Sequence, residues 1–124
     1  MARILIAEDE APVRTLITRA LAEDGHFVVA TADGTEALEI LQREDGGFDL
    51  VLADIKMPGM DGIALSLAMA RDFPKVPIVL MTGYADQRER AAGLNALICN
   101  VIAKPFALAE IKFAVASALA KGRR

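Results

Sequence analysis

At 124 residues, with a single cysteine and a net charge of −3, the chain is sized for one domain that folds on its own core and has no internal disulfide. Its basic residues are scattered apart from the closing Lys121-Gly122-Arg123-Arg124, so no electrostatic footprint for nucleic acid is visible and the tail reads as a solvated terminus. The opening Met1-Ala2-Arg3 passes straight into Ile4-Leu5-Ile6-Ala7, which is too short and too soon charged for a signal peptide or a membrane span; we expect a cytoplasmic protein with no membrane partner.

Short apolar runs recur at Ile4 to Ala7, Phe27 to Ala30, Leu50 to Ala53, Ile78 to Met81 and Cys99 to Ala103, with segments of helical spacing between them. This alternation predicts an α/β domain over residues 1–124: a five-stranded parallel sheet flanked by five helices. The first helix is expected from about Pro12 to Asp24, with Pro in its opening turn and Gly25 beyond its end. Its apolar stripe is Val13, Leu16, Ile17, Ala20 and Leu21. The second follows Asp33-Gly34, turns Ala37, Leu38, Ile40 and Leu41 inward, and stops before Gly46-Gly47. The third follows Gly62 and reaches about Arg71.

The fourth helix, expected from about Ala85 to Leu94, is charged throughout Asp86-Gln87-Arg88-Glu89-Arg90 and should be the least firmly packed. The fifth begins near Leu108 and presents Ile111, Val115, Ala118 and Leu119 to the core. Cys99, beside Leu97 and Ile98, is expected to be a small buried thiol. No linker, repeat or low-complexity segment is visible, so a single domain without a second one is expected.

In an open parallel sheet, ligands bind beyond the carboxyl ends of the strands. Here those ends carry Glu8-Asp9-Glu10, Asp54, Thr82-Gly83 and Lys104-Pro105. Singly, such residues begin loops and cap helices. Brought together, the carboxylates repel unless a cation neutralises them. With oxygen donors only and no His or Cys nearby, magnesium suits the group better than zinc. His26 falls at the opposite, entering end of the second strand and reads as a turn residue.

These residues carry a resemblance. The stretches Ile4-Leu5-Ile6-Ala7-Glu8-Asp9-Glu10, Leu50 to Gly62 with Asp54, Met57-Pro58-Gly59 and Asp61-Gly62, Val79-Leu80-Met81-Thr82-Gly83, and Lys104-Pro105-Phe106 resemble, in order and along the whole chain, the CheY-like receiver domains of two-component response regulators. The resemblance implies a doubly wound, flavodoxin-like fold of strand order 2-1-3-4-5. It makes Asp54 the phosphoryl acceptor and Asp9, Asp54 and the Lys56 backbone carbonyl direct Mg²⁺ ligands. Glu8, where many relatives have Asp, would act through water or by its longer arm. Thr82, the Gly83 amide and Lys104 would contact the phosphoryl oxygens, and Lys104-Pro105 would be a cis peptide.

The resemblance also implies a histidine kinase or phosphotransfer protein as donor, an effector protein reached by contact, and a monomer or weak dimer. Beyond transfer to and loss from its own aspartate, no enzymatic activity is expected. Lys56 and Tyr84, two residues beyond Asp54 and Thr82, would flank the attacking water and set the phosphoryl lifetime. Many receivers carry Tyr or Phe where this chain has Val101, whose branched side chain is too short and stiff to swing, so Tyr84 is the expected replacement. The Met81-Thr82-Gly83-Tyr84 and Lys104 to Leu108 stretches are similar to single-domain, protease-priming cell-cycle regulators of the CpdR type, in which an unphosphorylated state would bind the effector. A haloacid-dehalogenase-like phosphatase would want an acid where Lys56 stands, and a flavodoxin-like cofactor binder would want a phosphate-cradling loop after the first strand.

Overall fold

The computed structural model describes residues 2–83, 98 and 100–122. Five parallel strands, β1 (Arg3–Ala7), β2 (Phe27–Thr31), β3 (Leu50–Asp54), β4 (Ile78–Thr82) and β5 (Asn100–Ala103), form one sheet in the order β2-β1-β3-β4-β5. Four helices lie among the described residues: α1 (Ala11–Glu23), α2 (Gly34–Arg43), α3 (Gly62–Asp72) and α4 (Leu108–Gly122). The helix expected over 85–94 lies outside the described residues, as do Tyr84, Cys99 and the closing Arg123-Arg124.

Strand alternation divides the core into two layers. Leu5, Ala7, Val51, Ala53, Ile78 and Leu80 face α2 and α3, where they meet Ala37, Leu41, Leu65 and Met69. Ile4, Ile6, Leu50, Leu52, Val79 and Met81 face α1 and α4, where they meet Ile17, Leu21, Ile111 and Val115. Each fully buried Leu or Ile contributes about 1.5–3 kcal/mol, and every residue of β3 and β4 is buried. Those central strands therefore read as unbroken apolar runs, whereas β2, at the sheet edge, leaves Phe27 exposed.

One inward assignment is corrected. Leu16 is 49% exposed, because the face of α1 that meets the sheet is centred on Ile17, Ala20 and Leu21 and, at about 100° per residue, Leu16 falls at its margin. Leu38 and Ile40 are only partly buried against the α2–α3 layer.

Local chemistry starts the helices. Asp33 and Asp61 accept from the Glu36 and Ala64 amides, each at 2.8 Å, as N-cap side chains do. Glu10 holds the same position for α1 but makes no side-chain cap; Pro12 sits in that first turn, where a missing N–H costs nothing. Gly62 permits a close approach, since a Cβ there would run into the Asp54 carbonyl and the Ile55 Cα. Its N–H donates to Ile55 O at 2.8 Å, folding the β3–α3 loop back against the end of β3. At the opposite edge of the sheet, the Arg3 guanidinium lies 5.0 Å from the ring centres of both Phe27 and Phe48.

Candidate functional site

The site follows from strand parity. Glu8 continues the alternation of Ile4 and Ile6, Asp54 that of Leu50 and Leu52, and Lys104 stands two residues after Ile102, all in the layer facing α1 and α4. Thr82 instead shares the parity of Ile78 and Leu80. Register aligns them at one end of the sheet: Asp54 pairs with Met81 and Thr82 with Ala103. The Lys104 N–H donates to Thr82 O at 2.7 Å, and the Glu8 N–H to Thr31 O at 3.0 Å, so the ladder itself extends to both residues.

The result is a lysine shared between carboxylates of two strands. Lys104 Nζ donates to Asp54 Oδ2 at 2.7 Å and to Glu8 Oε1 at 2.8 Å. Glu8 is fully buried; its Oε2 accepts the Glu10 N–H at 3.1 Å, and its backbone carbonyl accepts Arg14 Nη1 at 2.8 Å. Asp54 and Thr82 are also buried, at 5% and 1% exposure, while Asp9 and Glu10 face solvent.

Burial pushes the Glu8 carboxyl up to about 7 and the neighbouring Asp54 charge adds to this, against the opposing hydrogen bonds from Lys104 and the Glu10 amide. Burial also works against the Lys104 charge, but the hydrogen bonds to Asp54 and Glu8 outweigh it and hold the ammonium above the usual lysine range. Carboxylate oxygens of Glu8, Asp9, Glu10 and Asp54 lie within 4.8 Å of one another. Three of these acids, Glu8, Glu10 and Asp54, lie within 3.7 Å of the Lys104 ammonium, and an all-oxygen donor set suits a hard divalent cation such as Mg²⁺.

Glu8, Asp9, Asp54, Thr82 and Lys104 thus lie at one strand-end edge. A Cβ at Gly83 would stand 3.9 Å from Lys104 Cβ, which places Gly83 beside the lysine. Lys56 is exposed in the loop after Asp54, the Lys104–Pro105 peptide is cis, and Val101 is half-buried against the α2–α3 layer. His26 is at the far edge, where Nδ1 accepts the Ala2 N–H at 3.3 Å. No role was expected of Glu10, whose carboxylate lies among those of Glu8, Asp9 and Asp54.

The chain matches the response regulator receiver domain family over residues 4–116 and belongs to it. It is 35% identical over 109 residues to the transcriptional regulatory protein TcrA of Mycobacterium tuberculosis, a match covering 88% of this chain and 42% of that protein. It is 33% identical over 117 residues to the probable transcriptional regulator ycf27 of Guillardia theta, covering 94% of this chain and 45% of that one. The chain therefore spans less than half the length of these relatives. Among solved structures, a CheY-like receiver domain protein from Methanospirillum hungatei superposes with a TM-score of 0.89 at 28% identity, covering 99% of this chain and 97% of the other. The response regulator TrrA of Thermotoga maritima, solved with Mg²⁺ and beryllium fluoride, gives 0.83 at 30% identity, covering 95% and 99%. Receiver domains accept phosphoryl groups from histidine kinases or phosphotransfer proteins and bind Mg²⁺ at an acidic pocket. Among the described residues no helix is long and apolar enough to cross a membrane.

Proposed function

We propose that this domain receives a phosphoryl group on Asp54 and signals through protein contact. The observation that carries the reading is the lysine held between Asp54 and Glu8 at the carboxyl ends of β5, β3 and β1. In-line transfer demands charge neutralisation and positioning more than covalent help from the protein. An Asp54 oxygen bonds to phosphorus as the bond from phosphorus to the donor imidazole nitrogen breaks, and the imidazole leaves. An acyl phosphate can replace the phosphohistidine, and loss of the group to water reverses the modification without an added enzyme.

Asp9, Asp54 and the Lys56 carbonyl would hold Mg²⁺, with Glu8 acting through water, since both of its oxygens are engaged by Lys104 and the Glu10 amide. When bound, the ion would supply positive charge that offsets the charge of the transferring oxygens. Lys104 gives its hydrogen bonds to the phosphoryl oxygens, joined by Thr82 and the Gly83 amide. Lys56, two residues after Asp54, would screen the path of water; Tyr84, expected to share that role, lies outside the described residues. The added 1.5 to 2 negative charges, roughly, draw Thr82 toward the group, and the roughly 5.5 kcal/mol that a full population shift requires lies within reach of several charge-assisted hydrogen bonds. Val101 is too short and stiff to swing with Thr82.

Incubation with labelled acetyl phosphate and Mg²⁺ tests the reading. The wild-type chain takes up label and Asp54→Asn takes up none while keeping its circular dichroism. Stable label on the variant would overturn the assignment.

A further inference from the structure

Glu10 occupies the N-cap of α1, a position that favours Ser, Thr, Asp or Asn, yet its side chain caps nothing. Instead Glu10 Oε1 lies 3.7 Å from Lys104 Nζ, and the side chain is 63% exposed. The ammonium thus faces a third carboxylate besides its two hydrogen-bonded partners, and this one stands on the solvent side, beside the buried Asp54. Its backbone serves separately: the N–H donates to Glu8 Oε2 and the carbonyl accepts the Arg14 N–H at 2.9 Å. A change of side chain therefore leaves that scaffold in place.

We propose that Glu10 is a specificity-setting positioning residue that acts through Lys104 and through its own charge, favouring the divalent cation while opposing the phosphoryl group. This inference rests on the phosphoacceptor reading of Asp54. A carboxylate within 4.8 Å of the other acid oxygens attracts a cation placed among them and repels an anionic group arriving at Asp54. It also competes with that group for Lys104, so removing the charge has effects of opposite sign on the two ligands. Loss of a structural contact would weaken both together.

The test uses Glu10→Gln, with Mg²⁺ binding followed by calorimetry and beryllofluoride binding at saturating Mg²⁺ followed by fluorine NMR. Mg²⁺ affinity falls by about threefold or more and beryllofluoride affinity rises by about threefold, as expected for one unit charge about 5 Å away at a wet site. Both differences shrink in high salt, and Glu10→Asp, which keeps the charge, stays close to wild type. Changes in the same direction, or no change in either, would overturn the inference. A wild-type chain that takes no beryllofluoride would sink the phosphoacceptor reading itself, whereas wild-type binding with an indifferent Glu10→Gln would sink this inference alone.

Discussion

Lys104 Nζ sits 2.7 Å from Asp54 Oδ2, so the ammonium and the proposed acceptor, fifty residues apart in the chain, are a hydrogen-bonded ion pair. Glu8 shares that ammonium from complete burial. Removing one partner of a buried pair costs far more than the pair contributes. Lys104→Met should therefore lower stability by about 3 kcal/mol at pH 8, and by less at pH 6, where Glu8 can take up a proton. Urea unfolding at the two pH values checks this; an equal loss at both would show that Glu8 does not depend on Lys104.

The Glu8 carboxyl, pushed up to about 7 from its ordinary 4.5, makes cation binding pH-dependent. A group whose folded value is raised contributes stability below its unfolded value and loses it as pH rises through the folded one. Without a divalent cation, stability therefore declines with this group between about pH 4.5 and 7. Cation affinity moves the other way, because the proton and Mg²⁺ compete: it should fall by up to about tenfold from pH 8 to pH 6. Calorimetry at both pH values reads the difference, and Glu8→Gln should abolish it.

The two neighbouring acids should not be equivalent. Asp9 is exposed, and its proposed contact with the ion is direct, whereas both Glu8 oxygens are already engaged. Asp9→Ala should weaken Mg²⁺ binding by about a hundredfold and Glu8→Ala by about tenfold. Titration showing the reverse order would exchange the two roles.

Gly62→Ala should destabilise the fold by about 1–3 kcal/mol, the usual cost of forcing atoms into filled space, because the new Cβ meets the Asp54 carbonyl and the Ile55 Cα. Since that carbonyl belongs to the proposed acceptor, labelling from acetyl phosphate should slow as well. A variant with an unchanged unfolding midpoint would mean that the loop yields freely.

Much of this is legible in the sequence. Apolar runs closed by Glu8, Asp54, Thr82 and Lys104 located four strand ends, because a buried parallel strand has little polar content until it leaves the sheet. Helix stripes were legible only as directions: Leu16 has the spacing of its neighbours, and only the width of the surface available beneath α1 leaves it outside. The contact of Gly62 with the Asp54 backbone was invisible for a similar reason, since it depends on how far the β3–α3 loop folds back. Glu10 escaped because an acid at the start of a helix has an ordinary local explanation, and its approach to Lys104 joins the two ends of the chain. The roles assigned to Tyr84 and to the helix expected over 85–94 concern residues outside those described.

The division of each strand between two core layers makes the chain tolerant of change in one dimension and not in another. Residues added to a loop beyond a strand end leave the ladder untouched. One residue deleted inside β3 would invert everything after it: Asp54 would swap layers with Ala53, carrying its carboxylate away from Lys104 and into the apolar surroundings of Leu41 and Leu65. Divergence among chains of this design should then accumulate as differences of loop length, with strand length held constant by the need to keep one acid on the same side as one base.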